Sequence, residues 1–192
     1  MSAAWSLPYS LSVNGVNYEI REDFRAILDI LSAFADEELS DPEKTQAMLE
    51  ILYWPVIPPP QDLTEAAEKA LWFIDCGVMH EDTPSPRVID WEQDAGIIFP
   101  AVNRIAGFET RGCQIIHWWT FYGWFMEIGD GLFSQVLSIR QKLSKGKRLE
   151  KWEQEFLQNN KKLCELEKST DKSKEEFDYF AELLKRGDIF AT

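Results

Sequence analysis

The sequence predicts a mainly α protein: a compact helical domain of about six to seven helices with a small N-terminal β-hairpin. Three observations carry this expectation. Apolar residues recur at helical spacing through most of the 192 residues. Asp, Pro and Gly stand where helices start and stop. Only SLSVNGVNYEI, residues 10–20, alternates apolar and polar positions around an Asn-Gly pair.

In that stretch Leu11 and Val13, then Val16, Tyr18 and Ile20, alternate with polar residues. Asn14-Gly15 supplies the two positive-φ positions of a type I′ turn. A lone hairpin is barely stable, so it must pack on the helices. Asp23 is placed to cap the first helix, where Phe24, Ile27, Leu28 and Leu31 form one apolar stripe. Asp41-Pro42 opens the second as a cap and a proline at the first helical position. That helix ends at Tyr53-Trp54, because PVIPPP cannot continue it. Asp62 opens a third, which stops at Gly77. Residues 80–89 read as a loop. Asp90 is the expected cap of WEQDAGIIFPAVNRIAG, with a kink at Pro100 and a stop at Gly107. An aromatic helix is expected from about Gly112 to Ile128, and another from Leu132 or Ser134 to residues 145–148. A further helix covers roughly 149–168. Residues 1–168 thus form the helical domain, and 169–192 a polar linker and a short amphipathic helix with Phe177, Phe180 and Leu184 on one face.

The chain carries 33 acidic and 20 basic residues, a net charge of −13. Such a chain repels nucleic-acid backbone and anionic membrane. The charge is uneven: residues 1–100 hold 19 acidic and 5 basic residues, whereas 137–168 hold 9 basic and 5 acidic. RQKLSKGKRLEKW, residues 140–152, is the one basic stretch, but Glu150, Glu153 and Glu155 interleave it. A solvated connector fits better than a nucleic-acid site, so nucleic acid is a disfavoured partner. Cys76, Cys113 and Cys164 lie far apart, with neither disulfide nor zinc spacing, and a reduced cytoplasmic setting is expected. The start lacks a signal-peptide pattern, and the longest apolar run is too short for a bilayer.

No nucleophile elbow, phosphate loop, dinucleotide fingerprint or zinc-helix motif is present, so neither a catalytic residue, a metal nor a cofactor is expected. His117 has no acidic or cysteine partner at ligand spacing, and a packed histidine is the expectation. Glu127 interrupts the aromatic run IIHWWTFYGWFMEIG; if buried it needs a cation, with Arg140 or Arg104 as structural ion-pair partner. In that run apolar residues fall all around the helix, which predicts burial on most sides. Trp118, Phe121, Phe125 and Ile128 share the core face. Trp119, Tyr122 and Trp124 are the candidates for a partner surface, together with Phe177, Phe180 and Leu184 of the C-terminal helix.

VIDWEQDAGIIFPAVNRIAG followed by HWWTFYGWFMEIGDGLFSQVLSIRQKLSKGKRLEKWEQEF closely resembles the bacteriophage gene-product-fifteen family. The resemblance extends to VNGVNYEIREDFRAILDIL and covers about residues 8–168. It implies a phage- or prophage-encoded protein in the host cytoplasm, from a gene beside that of the tail tape measure. It further implies a non-enzymatic tail assembly chaperone whose partners are the tape-measure protein, the tail tube protein and a second small tail chaperone. A minor tail protein kept in the virion, and a nucleic-acid-binding or host-directed regulator, are the alternatives. Monomer and homo-oligomer both stay open.

Overall fold

A computed structural model describes residues 5–78 and 87–166. Asn14 (φ 48°) and Gly15 (φ 76°) make the positive-φ turn that their chemistry favours. They join β1 (Ser10–Val13) to β2 (Val16–Glu19) in an antiparallel pair, with Leu11 opposite Tyr18 and Val13 opposite Val16. Leu11 and Val13 face the core. Eight helices follow among the described residues: α1 (Phe24–Ala35), α2 (Asp41–Leu52), α3 (Leu63–Ile74), α4 (Ala95–Ala106), α5 (Trp118–Met126), α6 (Leu132–Ser144), α7 (Lys151–Asn159) and α8 (Lys161–Cys164). The mainly helical class with one hairpin is therefore the observed one.

Several boundaries shift, each for a local reason. Ser40, not Asp41, is the N-cap of α2; its hydroxyl and backbone N–H both bond the Glu43 carboxylate, and Pro42 still sits within the first turn. Asp90 caps only the turn before α4, accepting from the N–H groups of Glu92 and Gln93. The helix itself begins after Asp94 and continues through Pro100. Asn160 separates α7 from α8, with its side-chain amide donating to the Phe156 carbonyl.

The aromatic helix starts six residues later than Gly112, at Trp118. Residues 115–117 are non-helical because the chain there pairs with the entry to α1, through a bridge between His117 and Asp23. Phe24 N–H donates to Ile116 O (2.9 Å) and Trp118 N–H to Glu22 O (2.7 Å). Asp23 accepts the N–H of Arg25 as the α1 cap and also the N–H of Ile116. One carboxylate thus fixes two helix starts side by side.

The main core joins the hairpin to α1–α6. Phe24 and Phe121 stack at 4.2 Å in its centre, with Ile27, Leu52, Phe73, Ile98 and Trp118 around them. A smaller cluster of Ile139, Leu149 and Cys164 packs the far end of α6 against α7 and α8. Between the two clusters lies a buried ion pair that the sequence reading assigned to the wrong carboxylate. Arg140 holds Asp94 in a two-pronged contact (2.6 and 2.8 Å), with both side chains almost wholly buried. Its remaining contacts reach the carbonyls of Val88, Leu163 and Cys164. Glu127 is exposed at the C-terminal end of α5 and forms no ion pair among the described residues. Arg104 instead donates to the Asp130 carbonyl. The physical reason is the helix end: its outward carbonyls disfavour a buried carboxylate there, whereas Asp94 at a helix start is favoured.

Glu153 is the other buried carboxylate. It accepts from Lys142 (2.6 Å) and, within the first turn of α7, from the Glu150 N–H (2.8 Å). The Lys142 hydrogen bond, seconded by the backbone bond, holds its carboxyl below the usual range. Since the folded value lies below the unfolded one, this stabilisation is full above about pH 4.3 and fades as pH falls through the folded value. The stability gap between the wild type and Glu153→Gln in urea is therefore expected to narrow when titrated from about pH 6 to about pH 3. A gap that widens on acidification would contradict it.

Candidate protein-binding cleft

α5 is anchored before it is exposed. At the end of α3 the Trp72 and Phe73 carbonyls accept from the N–H groups of Gly77 and Cys76, and the indoles of α5 add further donors there. The indole N–H of Trp118 donates to Ile74 O and that of Trp119 to Phe73 O, both at 2.8 Å. Two adjacent tryptophans therefore cap the C-terminus of α3. The chain then turns at Cys76 (φ 54°) and Gly77 (φ 79°). A Cβ on Gly77 would stand 3.2 Å from the Trp119 ring, so close approach as well as φ favours glycine there. Burial, with Asp75 adding to it, pushes the Cys76 thiol up to about 12, which leaves it protonated and unreactive at neutral pH.

Each aromatic residue singled out in the sequence can now be placed. Trp118 and Phe121 are fully buried, and Phe125 and Ile128 are half-buried against the same core. Trp119, Tyr122 and Trp124 are also half-buried with neighbours of their own. Trp119 stacks on Phe73 and meets Trp72 edge-on. Tyr122 lies between Trp118 and Phe125, and Trp124 meets Phe108 edge-on. Trp119 and Tyr122 each pack on a buried ring, whereas Trp124 pairs with Phe108, itself 45% exposed. Phe177, Phe180 and Leu184 lie outside the described residues.

His117 is the hub of a ring cluster. Its Nδ1 accepts the Trp119 N–H (3.1 Å) and caps α5. Its Nε2 therefore carries the proton and donates to the Pro8 carbonyl (3.0 Å). The ring meets Tyr9 and Phe73 edge-on. From Phe73 the cluster continues through Trp119 to Trp72. It surfaces at two points, Tyr9 (59% exposed) and Trp72 (37% exposed).

Beside Trp72 and next to Tyr9 in the chain lies a cleft of about 390 Å³, walled on one side by β1 and on the other by α3. Ser10, Leu11 and Ser12 form the strand wall; Glu68, Lys69 and Trp72 form the helix wall. The hairpin tip is tied to the same helix, since Asn14 donates to Glu65 through its backbone and to Asp62 through its amide. Sequence reasoning missed this cleft. A usable signal existed: Ala66, Ala70 and Phe73 turn inward, so Glu65, Glu68 and Trp72, spaced i, i+3, i+7, must share an outer face. A Trp on an otherwise polar face is a surface ring.

A second cleft, about 570 Å³, is lined by Arg148, Leu149, Glu150, Lys151 and Gln154. Nearby, Lys142 pairs with Glu153 and Lys161 with Glu165. Among the described residues no group of three or more His, Cys, Asp and Glu is placed to hold a metal ion, and no helix is long and apolar enough to cross a membrane.

Fold and site define a class: a small helical protein with a hairpin at its edge and an aromatic-rimmed cleft beneath it. The chain belongs to the family described as Bacteriophage Gp15 protein, whose family model matches residues 5–166. It is thus a phage protein. No curated protein and no solved structure matches it.

Proposed function

We propose that this phage protein is a non-enzymatic tail assembly chaperone that binds the tape-measure protein, tail tube subunits or both, in the host cytoplasm, and releases them as the tail grows. The observation that carries the reading is the cleft between β1 and α3, beside aromatic rings that surface at Tyr9 and Trp72. Aromatic rings beside a groove suit the capture of polypeptide, because they bury much area at little entropic cost. Family membership supports a role in phage assembly, and the gene neighbourhood that the resemblance implies supports the tail. The net charge of −13 would keep many bound copies dispersed.

Co-expression with the tape-measure protein of the same phage, followed by affinity capture, tests the reading. Retention of the tape-measure protein in soluble form is the expected result. Mass spectrometry of purified particles separates a chaperone from a retained tail component, since a chaperone leaves no stoichiometric peptide signal in the virion. A soluble tape-measure protein that never co-purifies would defeat the proposal.

A further inference from the structure

β1 has a free edge. The pairing register sets Val13 against Val16 and Leu11 against Tyr18, and Ile20 N–H donates to Tyr9 O. In an antiparallel pair hydrogen-bonded positions alternate. Residues 9, 11 and 13 therefore face β2, while the N–H and C=O groups of Ser10 and Ser12 point away from it. Neither residue's main chain bonds to any other element among the described residues. Both residues line the cleft, with Trp72 and Glu68 across it. The opposite edge differs, because Glu19 O accepts from Trp54 N–H.

An unpaired strand edge inside a cleft is a template for an added strand. Its electrostatics select the occupant. Residues 60–78 hold four carboxylates, Asp62, Glu65, Glu68 and Asp75, against Lys69 alone. The exposed face of Trp72 adds a site where a cation can rest on an aromatic ring. Two copies of this edge would bring two acidic helices together, which argues against self-pairing. We propose that the edge of β1 accepts an extended, lysine- or arginine-bearing segment of another protein as a third strand of the hairpin sheet. The inference rests on the reading of the chain as a protein-binding factor and adds the mode of binding.

The probe is a capped peptide of alternating lysine and valine, roughly twice the length of β1. Amide NMR of the full chain should show the largest shifts at Ser10 and Ser12, with quenching or enhancement of Trp72 emission. A matched glutamate–valine peptide should bind at least about tenfold more weakly. Ser12→Pro removes one edge donor at a position where proline is tolerated, because that N–H serves no internal bond. Affinity should fall about tenfold. If that variant fails to fold, Glu68→Lys, on an exposed helical position, should weaken binding of the lysine peptide and narrow its advantage over the glutamate peptide. Absence of binding, equal binding of both peptides, or binding untouched by these substitutions overturns the inference. A chain that captures the tape-measure protein but ignores the peptide keeps the proposed function and loses the edge; the converse result does the reverse.

Discussion

Replacing Arg140 by alanine is expected to cost about 3–5 kcal/mol, because it strips the partner from a buried carboxylate. Asp94 is 1% exposed and would lose two short contacts, keeping only the Asp90 N–H as a donor to its carboxylate. The carbonyls of Val88, Leu163 and Cys164 would lose their donor at the same time. These groups come from four parts of the chain: the segment before α4, the start of α4, α6 and α8. The guanidinium thus joins segments that meet between the two apolar clusters. Arg140→Lys should recover little, since an ammonium cannot span both oxygens and also reach three carbonyls. Arg140→Met combined with Asp94→Leu removes both charges and should be milder than either single change. Urea midpoints at constant slope measure the series. An Arg140→Ala midpoint equal to wild type would show that the pair contributes nothing to stability.

This pair also shows what the sequence could and could not convey. Asn14-Gly15, Asp23, Pro42 and Gly107 act on their own neighbours, so hairpin and helices were legible from local chemistry. The partner of Arg140 is 46 residues away, and Asp90, Glu92, Asp94 and Glu127 all stood as acidic choices. One local clue favoured Asp94: an acid directly before the apolar run AGIIF is in cap position. The start of α5 was illegible for a similar reason. Nothing within residues 112–118 reveals that Glu22, Asp23 and Phe24 will bond them. Periodicity also failed to sort the rings of α5. A helix of nine residues spans too few turns to separate faces, and a buried indole N–H goes where a carbonyl can accept it. That demand placed Trp119 on the end of α3, edge-on to Trp72.

Trp118→Ala is the second large effect, at about 3–5 kcal/mol for deletion of a buried aromatic side chain. Trp118 is the largest of the fully buried side chains, 1% exposed, and packs on Phe121 and Tyr122. Its loss opens a cavity beside the Phe24–Phe121 stack and removes the donor to Ile74 O. Trp118→Phe keeps a six-membered ring but loses the pyrrole portion with its N–H, so it combines a smaller cavity with loss of the donor to Ile74 O. That variant should cost less than Trp118→Ala, because the cavity is smaller and Ile74 O keeps only the weak contact of the Cys76 thiol in either case. Trp119→Ala should cost less than Trp118→Ala, because Trp119 is half-buried and its ring gives up less area. The two tryptophans cap neighbouring carbonyls of one helix end, so their effects should not add. Hydrogen exchange should show the consequence where the caps act: faster exchange at residues 75–78, with the hairpin amides between Leu11 and Tyr18 slower to respond. Uniform loss of protection across the chain would mean that Trp118 supports the whole core rather than the end of α3 in particular. Unchanged protection and an unchanged urea midpoint would remove Trp118 from the core altogether.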